Sequence, residues 1–303
     1  MRVSLIASHI EKCRCKISVK TISSHVNTGD DAAHRLRRGT LKGIEMVDSI
    51  RMDELSWPEF AAKVAAGVPV LLPLGTTEQH GPHLPLNVDV VLPTGVCERV
   101  AREIGGLVAP TIPFGYKSMP RSGGGETFPG TLSLDANTFS LVVRDVIRSL
   151  GHHGVRRLVV VNGHYENCWP SVEGLDLGLR ELRRDGITDM DVMRLEYWDF
   201  VERSTLDKLF PDGFPGTELE HASLLETSLM MLLRPDLVEI DKAPTDGPAK
   251  FPSYDRFPVP ADFGLPPSGV LAVAQGSTAE KGGWLMADHV ALMSKAIRKE
   301  FGL

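Results

Sequence analysis

The 303-residue sequence predicts an α/β fold, a mainly parallel β-sheet flanked by helices on both faces, and three observations carry that reading. Short apolar runs rich in β-branched residues recur along the chain, and segments of helical periodicity separate them. Polar clusters follow two of the runs directly, at the carboxyl ends of strands where such a sheet collects its ligand. A hydrophobic content of 42% is enough to fill a core at this length.

The strands come first. "VPVLLPLG" (68–75), "LVAPTIPFG" (107–115), "RRLVVVNG" (156–163) and "DVMRLEYW" (191–198) are runs of strand length bounded by Gly, Pro or Asn. Helical spacing of apolar residues fills the intervals at about 89–104, 135–152 and 167–185, a βαβ rhythm that requires parallel strands. Further helices are expected at about 218–233 and 282–301. Between them Ala243 to Gly269, "APTDGPAKFPSYDRFPVPADFGLPPSG", reads as a surface excursion of the kind used for lids, interface arms or linkers. No internal repeat is present.

The chain divides by composition near residue 45. The first 45 residues hold nine basic side chains against four acidic ones, a net of +5, which leaves −11 for the rest of a chain with an overall charge of −6. The opening apolar stretch is short, contains His9 and meets no small-residue cleavage site, so it does not read as a secretion signal. Residues 1–45 are expected to be a basic extension, partly disordered or the product of an overlong gene start with Met46 as the true one, and residues 46–303 the functional domain. An acidic pI near 5.9 argues against nucleic acid as partner, and no apolar run approaches the roughly 18 residues of a membrane span. Four scattered cysteines suit a reducing compartment and offer no Cys-x-x-Cys pair. The expectation is a soluble cytoplasmic protein.

The chemistry-bearing residues cluster behind the first and third strands. "PLGTTEQHGPHLPLNVDVV" sets Glu78, His80, His83 and Asp89 within twelve residues, and "NGHYEN" sets His164 and Glu166 two residues apart. The pairs Glu78/His80 and His164/Glu166 have opposite order at adjacent strand ends, and Asp89 opens the following helix. A carboxylate can bridge two cations and an imidazole cannot, so two Glu, two His and one Asp suit a dinuclear centre of hard or borderline ions; zinc and manganese both fit. Taken singly, Asp89 could be a helix cap, His80 a hydrogen-bonded loop histidine and Gly163 a turn former. The coincidence of two pairs favours the metal. His152 and His153 end a helical pattern and are read as structural. "SGGGETFPG" lacks the Lys-Ser/Thr of a phosphate loop, and no Gly-x-Ser-x-Gly elbow exists.

From about Glu45 onward, "GTTEQHGPHLPLNVD", "SGGGETFPGTLSLD", "VVVNGHYENC", "YWDF" and "ELEHASLLETSLMM" resemble the successive motifs of the creatininase (creatinine amidohydrolase) family. The resemblance implies a creatininase-like α/β/α sandwich with two divalent ions per subunit, one held by Glu78, Asp89 and His164, the other by His80, Asp89 and Glu166. Asp89 would bridge them. It further implies His221 as the acid/base histidine with Glu220 beside it, and Ser122, Gly163, Tyr165, Trp198 and Glu218 in the substrate pocket. Glu218 stands where creatininases carry aspartate, and Thr217 where the creatinine-hydrolysing members carry a tryptophan that covers the substrate. Opening a cyclic amide needs a nucleophile stronger than water at neutral pH, which a divalent-metal centre supplies, and a proton for the leaving ring nitrogen, which His221 could shuttle. Trp198 and Tyr165 would offer flat faces to a planar substrate; the plainer reading of Trp198 is core packing.

The leading function is therefore creatinine to creatine, with hydrolysis of another small amide or deformylation of a nucleotide-like precursor as alternatives. A non-catalytic metal-binding protein is the third possibility, and His221 beside an intact ligand set speaks against it. The resemblance implies a hexamer, for which the 243–269 excursion is the candidate interface arm.

Overall fold

The computed structural model describes residues 49–303 except 120, 123, 124, 261 and 262. The basic extension, residues 1–45, lies outside the described residues. Four parallel strands, β1 (Val70–Leu74), β2 (Leu107–Val108), β3 (Arg157–Asn162) and β4 (Asp191–Glu196), form one sheet in the order β2-β1-β3-β4. Seven α-helices are described: α1 (Trp57–Ala65), α2 (Val88–Ile104), α3 (Ala136–His152), α4 (Cys168–Arg184), α5 (Arg203–Leu209), α6 (Leu224–Leu233) and α7 (Ala279–Phe301).

Strand alternation divides the core into two layers. Leu71, Val159 and Val161 point to the face covered by α2, α6 and α7, while Val70, Leu72, Leu74, Leu158 and Val160 point to the face covered by α3 and α4. Burial on both sides is why these strands read as continuous apolar runs rather than as alternating ones. The α/β/α sandwich is as the sequence predicts.

Local differences have local causes. The second predicted strand shrinks to Leu107–Val108 followed by an isolated bridge from Ile112 to Leu74, because Pro110 and Pro113 remove ladder donors from the run. The helix expected from 218 begins at Leu224 instead; a single 3-10 turn at Thr217–Leu219 and a left-handed Ala222 (φ 55°) precede it. α1 was not among the expected helices, yet its signal is written in "SWPE": Glu59 accepts from the Ser56 backbone N–H at 2.7 Å in a capping box, with a proline in the first turn. α5 was likewise unforeseen. The 243–269 excursion contains no helix or strand among its described residues. Among the described residues no helix is long and apolar enough to cross a membrane.

Candidate metal centre and cavity

Register brings the polar clusters together. Leu74 pairs with Asn162, and Asn162 with Glu196, so the segments after β1, β3 and β4 leave the sheet side by side. At the first exit Gly75 lets the chain pass against α2: a Cβ there would lie 2.3 Å from the Asp89 carbonyl oxygen. At the second, Gly163 does the same, its virtual Cβ meeting Pro93 Cγ at 2.3 Å, so close approach to α2 rather than turn conformation requires this glycine.

The candidate ligand atoms converge from both exits. His164 Nδ1 lies 3.3 Å from Glu78 Oε2 and 3.1 Å from Asp89 Oδ2, and His80 Nε2 lies 3.2 Å from Asp89 Oδ1. Asp89 therefore faces both imidazoles, one with each oxygen. It sits inside the first turn of α2 and makes no capping bond. Both rings are oriented from behind by backbone carbonyls: His80 Nδ1 donates to Glu78 O at 3.1 Å and His164 Nε2 to Tyr116 O at 2.9 Å, the outer-shell bond typical of a metal-ligating histidine. Asn162 bonds both the amide and the carbonyl of His164, fixing its backbone.

Several of these buried atoms have no hydrogen-bond partner, namely both oxygens of Glu78, His80 Nε2 and Glu166 Oε2. Leaving them so would cost several kcal/mol, whereas a cation satisfies them together. Electrostatics agrees. Burial disfavours a charged His80 ring, yet the Asp89 and Glu226 carboxylates outweigh it and hold the ring up to about 10. Burial likewise opposes charge on His164, and Glu166 and Glu78 overcome it. Carboxyl groups gather around the two imidazoles in a dry place, and the set Glu78, Asp89, His164 has candidate ligand atoms all within 4.8 Å of one another.

Glu166 and His83 sit differently. Glu166 Oε2 lies 3.3 Å from His164 Nε2, on the far side of that ring, and its Oε1 accepts from Met119 N at 3.0 Å and from Ser122 Oγ. The structure does not bring Glu166 into a common group with His80 and Asp89; the third member there is Glu226. Burial pushes the Glu166 carboxyl up to about 8. His83 turns away from the cluster and bonds Thr227 Oγ1 at 3.1 Å.

A cavity of about 220 Å³ opens beside the cluster and is lined by Asp89, His164 and Glu166 together with all of the expected pocket residues, Ser122, Gly163, Tyr165, Trp198, Glu218 and His221. Trp198 both lines the cavity and packs on the core beside Tyr197, so its two readings coexist. Thr217 lines the same cavity. His221 stacks at 4.4 Å on His80, and burial, then the neighbouring His80, hold it down to about 4, so it is neutral.

Three supporting residues escaped the sequence reading. Gln79 accepts from Gly81 N and donates to Gly269 O, which orients its amide, and the same amide nitrogen reaches His221 Nε2 at 2.9 Å. Gly269 permits that approach, since a Cβ there would lie 2.3 Å from Gln79 Oε1. Asn167 ties Tyr116 N to Gly75 O, holding in place the carbonyl that orients His164. Glu226 accepts from Ala222 N at 2.6 Å, while Glu220 accepts from Leu225 N at 3.0 Å, so two acids clamp the turn that carries His221. The polar residues of "TEQHG" and "HYEN" were signals for the first two.

The parallel sheet and its acid-histidine cluster at the strand ends define an α/β protein built to hold divalent cations beside a small cavity. Comparison places the chain more narrowly: the model of the creatininase family, described as creatinine amidohydrolase, matches residues 53–297. A creatinine amidohydrolase of Pseudomonas putida is 51% identical over 259 residues, covering 84% of this chain and 99% of that protein. Among solved structures, a glutamate-to-glutamine mutant creatininase of Zn-Zn type is 49% identical with a TM-score of 0.82, and a manganese creatininase is 50% identical with a TM-score of 0.81. Each covers 84% of this chain and 99% of its own. The chain belongs to the creatininase family.

Proposed function

We propose that the protein is a metal-dependent amidohydrolase that opens a cyclic amide, converting creatinine and water to creatine. The observation that carries this reading is the shared orientation of Asp89, one oxygen toward each imidazole, beside a cavity that also holds a neutral histidine. Glu78, Asp89 and His164 would hold one ion and His80 and Asp89 the other, the resemblance adding Glu166 to the second set. Zinc or manganese bound there supplies Lewis acidity, which makes water a stronger nucleophile at neutral pH and polarises an amide carbonyl.

The chain's own groups do the rest. Tyr165 and Trp198 offer flat walls to a planar ring, Ser122 and Glu218 offer polar contacts at its edge, and Gly163 leaves room for it. His221 Nε2 keeps its lone pair, because it accepts the Gln79 amide. His221 takes a proton as the water oxygen adds to the carbonyl carbon, and passes it to the ring nitrogen as the C–N bond breaks. Water gives its oxygen to the new carboxylate and both its protons to the released guanidino group, which leaves creatine as a zwitterion.

The assembly is read as a hexamer in the cytoplasm, with the excursion as an arm; Tyr254 and Phe257 at its middle are exposed, as an interface would use them. Residues 1–45 are read as an accessory extension and 46–303 as the working domain. The deciding experiment is creatinine turnover by NMR on protein stripped with chelator and reloaded with zinc or manganese. Activity should vanish and return with about two ions per chain; a fully loaded protein that leaves creatinine intact refutes the substrate.

A further inference from the structure

We propose that the buried end of the cavity is a substrate subsite, one that takes an apolar arm on the cyclic amide and reads a neutral hydrogen-bond donor at the arm's tip through His289 Nε2. The proposal rests on the amidohydrolase reading above and names a substrate class for the same site. The cavity lining runs past the expected pocket residues to Tyr197, Leu206, Leu229, Leu285 and His289, so helices α5, α6 and α7 all contribute to this part of the wall. Tyr197, Leu229, Leu285 and His289 are each at most 3% exposed. No lysine or arginine is among the described lining residues, so no cation waits there for an anionic ligand. A wall of leucines favours an apolar chain over a charged one.

His289 supplies the polar contact. Its Nδ1 donates to Phe200 O at 3.0 Å, so Nε2 carries the lone pair, and that nitrogen is buried without a partner in the protein. Burial holds the ring down to about 4, which keeps it neutral. An edge-on contact with Tyr197, 5.2 Å between ring centroids, helps to set its plane. A buried acceptor of this kind costs free energy until a donor meets it, and a ligand O–H or N–H can take the place of water there. The chemistry of the ring says where the arm should start. In creatinine the N-methyl group stands across the five-membered ring from the carbonyl, so with the carbonyl at the ions the methyl points away from them. The arm replaces this methyl.

The test is steady-state hydrolysis, by the zinc-loaded protein, of creatinine and of two analogues in which a propyl or a terminally hydroxylated propyl arm replaces the methyl. Two added methylenes should lower KM by roughly 10-fold against creatinine, and the hydroxyl by roughly a further 3- to 10-fold. The effect should fall on KM and leave kcat nearly constant, because the arm binds alike in ground and transition states. His289→Phe keeps a ring against Tyr197 and removes the acceptor, so the advantage of the hydroxyl should vanish while that of the propyl arm stays. Leu206→Trp adds bulk at a half-buried position and should erase the advantage of the propyl arm, which tests the subsite even where the His289 variant fails to fold. Creatinine turnover with no gain in KM from either arm overturns the subsite. A hydroxyl gain that survives in folded His289→Phe, or a hydroxyl that gains nothing over propyl in the wild type, overturns the role of His289. Wild-type protein that hydrolyses none of the three compounds refutes the amidohydrolase reading itself, and this subsite with it.

Discussion

Two regions build the cavity by opposite means. Glu78, Asp89 and His164 sit on the ends of paired strands and on the first turn of the helix packed against them, where register, close glycine contacts and backbone carbonyls fix each atom. Thr217, Glu218, His221 and Glu226 come from a segment with no strand partner, held by the acids Glu220 and Glu226 across a strained turn. A metal centre tolerates little displacement of its ligands, and the sheet supplies that rigidity. Substrate fit and proton transfer depend on the irregular segment, where a residue can change without disturbing the sheet. Thr217 and Glu218, where the resemblance implies departures from the family pattern, both fall there.

The largest effect should come from breaking the rigid side. Asp89→Ala removes the one carboxylate shared by both imidazoles, so metal analysis should find both ions lost and turnover at background, whereas His80→Ala should weaken mainly one ion. Wild-type metal content in Asp89→Ala would show that no shared ligand exists. The irregular side should break differently. His221→Ala should lower kcat by roughly 10²- to 10⁴-fold, the usual worth of a general acid/base, with both ions still bound. Loss of the ions in this variant would move His221 from proton transfer to ligation, a role its position beside Glu78 and His80 makes a real alternative.

The same contrast explains what could be read in the sequence. β1, β3, β4 and helices α2, α3, α4 and α7 declare themselves by period, because each buries a continuous face, and all five expected ligands are read from those boundaries. The expectation failed where local chemistry overrides period. Pro110 and Pro113 cut β2 short, and the clamped turn at Ala222 delays α6. Glu226 was hidden for a related reason: one Glu in "LLETSLMM" looks like the solvated face of an amphipathic helix until the fold sets it beside His80. Gln79 was in plain view between two ligands, yet its task depends on Gly269, far along the chain at the end of the excursion.

A smaller effect should sharpen the comparison at Thr217. Tryptophan there would add apolar area over the cavity, and burying part of an indole is worth about 1–2 kcal/mol, roughly a 10-fold change in binding. Thr217→Trp should therefore lower KM for creatinine with metal content unchanged, since Thr217 supplies no ligand atom. If the natural substrate is a larger amide that fills the space, the same change should raise KM for that substrate by crowding. Unchanged creatinine kinetics would remove Thr217 from the set of residues that govern fit.

The smallest effect should come from deleting residues 1–45. The family match begins at residue 53 and every expected ligand and described cavity residue lies beyond 75, so the truncated chain keeps all of them. Its net charge of +5 could act at long range on an anionic domain. Exposed charges separated by more than about 8–10 Å are largely screened at physiological ionic strength. The truncated protein should keep its ions, its kcat and its KM within error, with a change only in how it elutes from an ion exchanger. A large fall in turnover that added salt reverses would show the extension acting electrostatically on substrate entry. A fall that salt leaves untouched would mean that it packs against the domain, and that the boundary at residue 45 is one of composition alone.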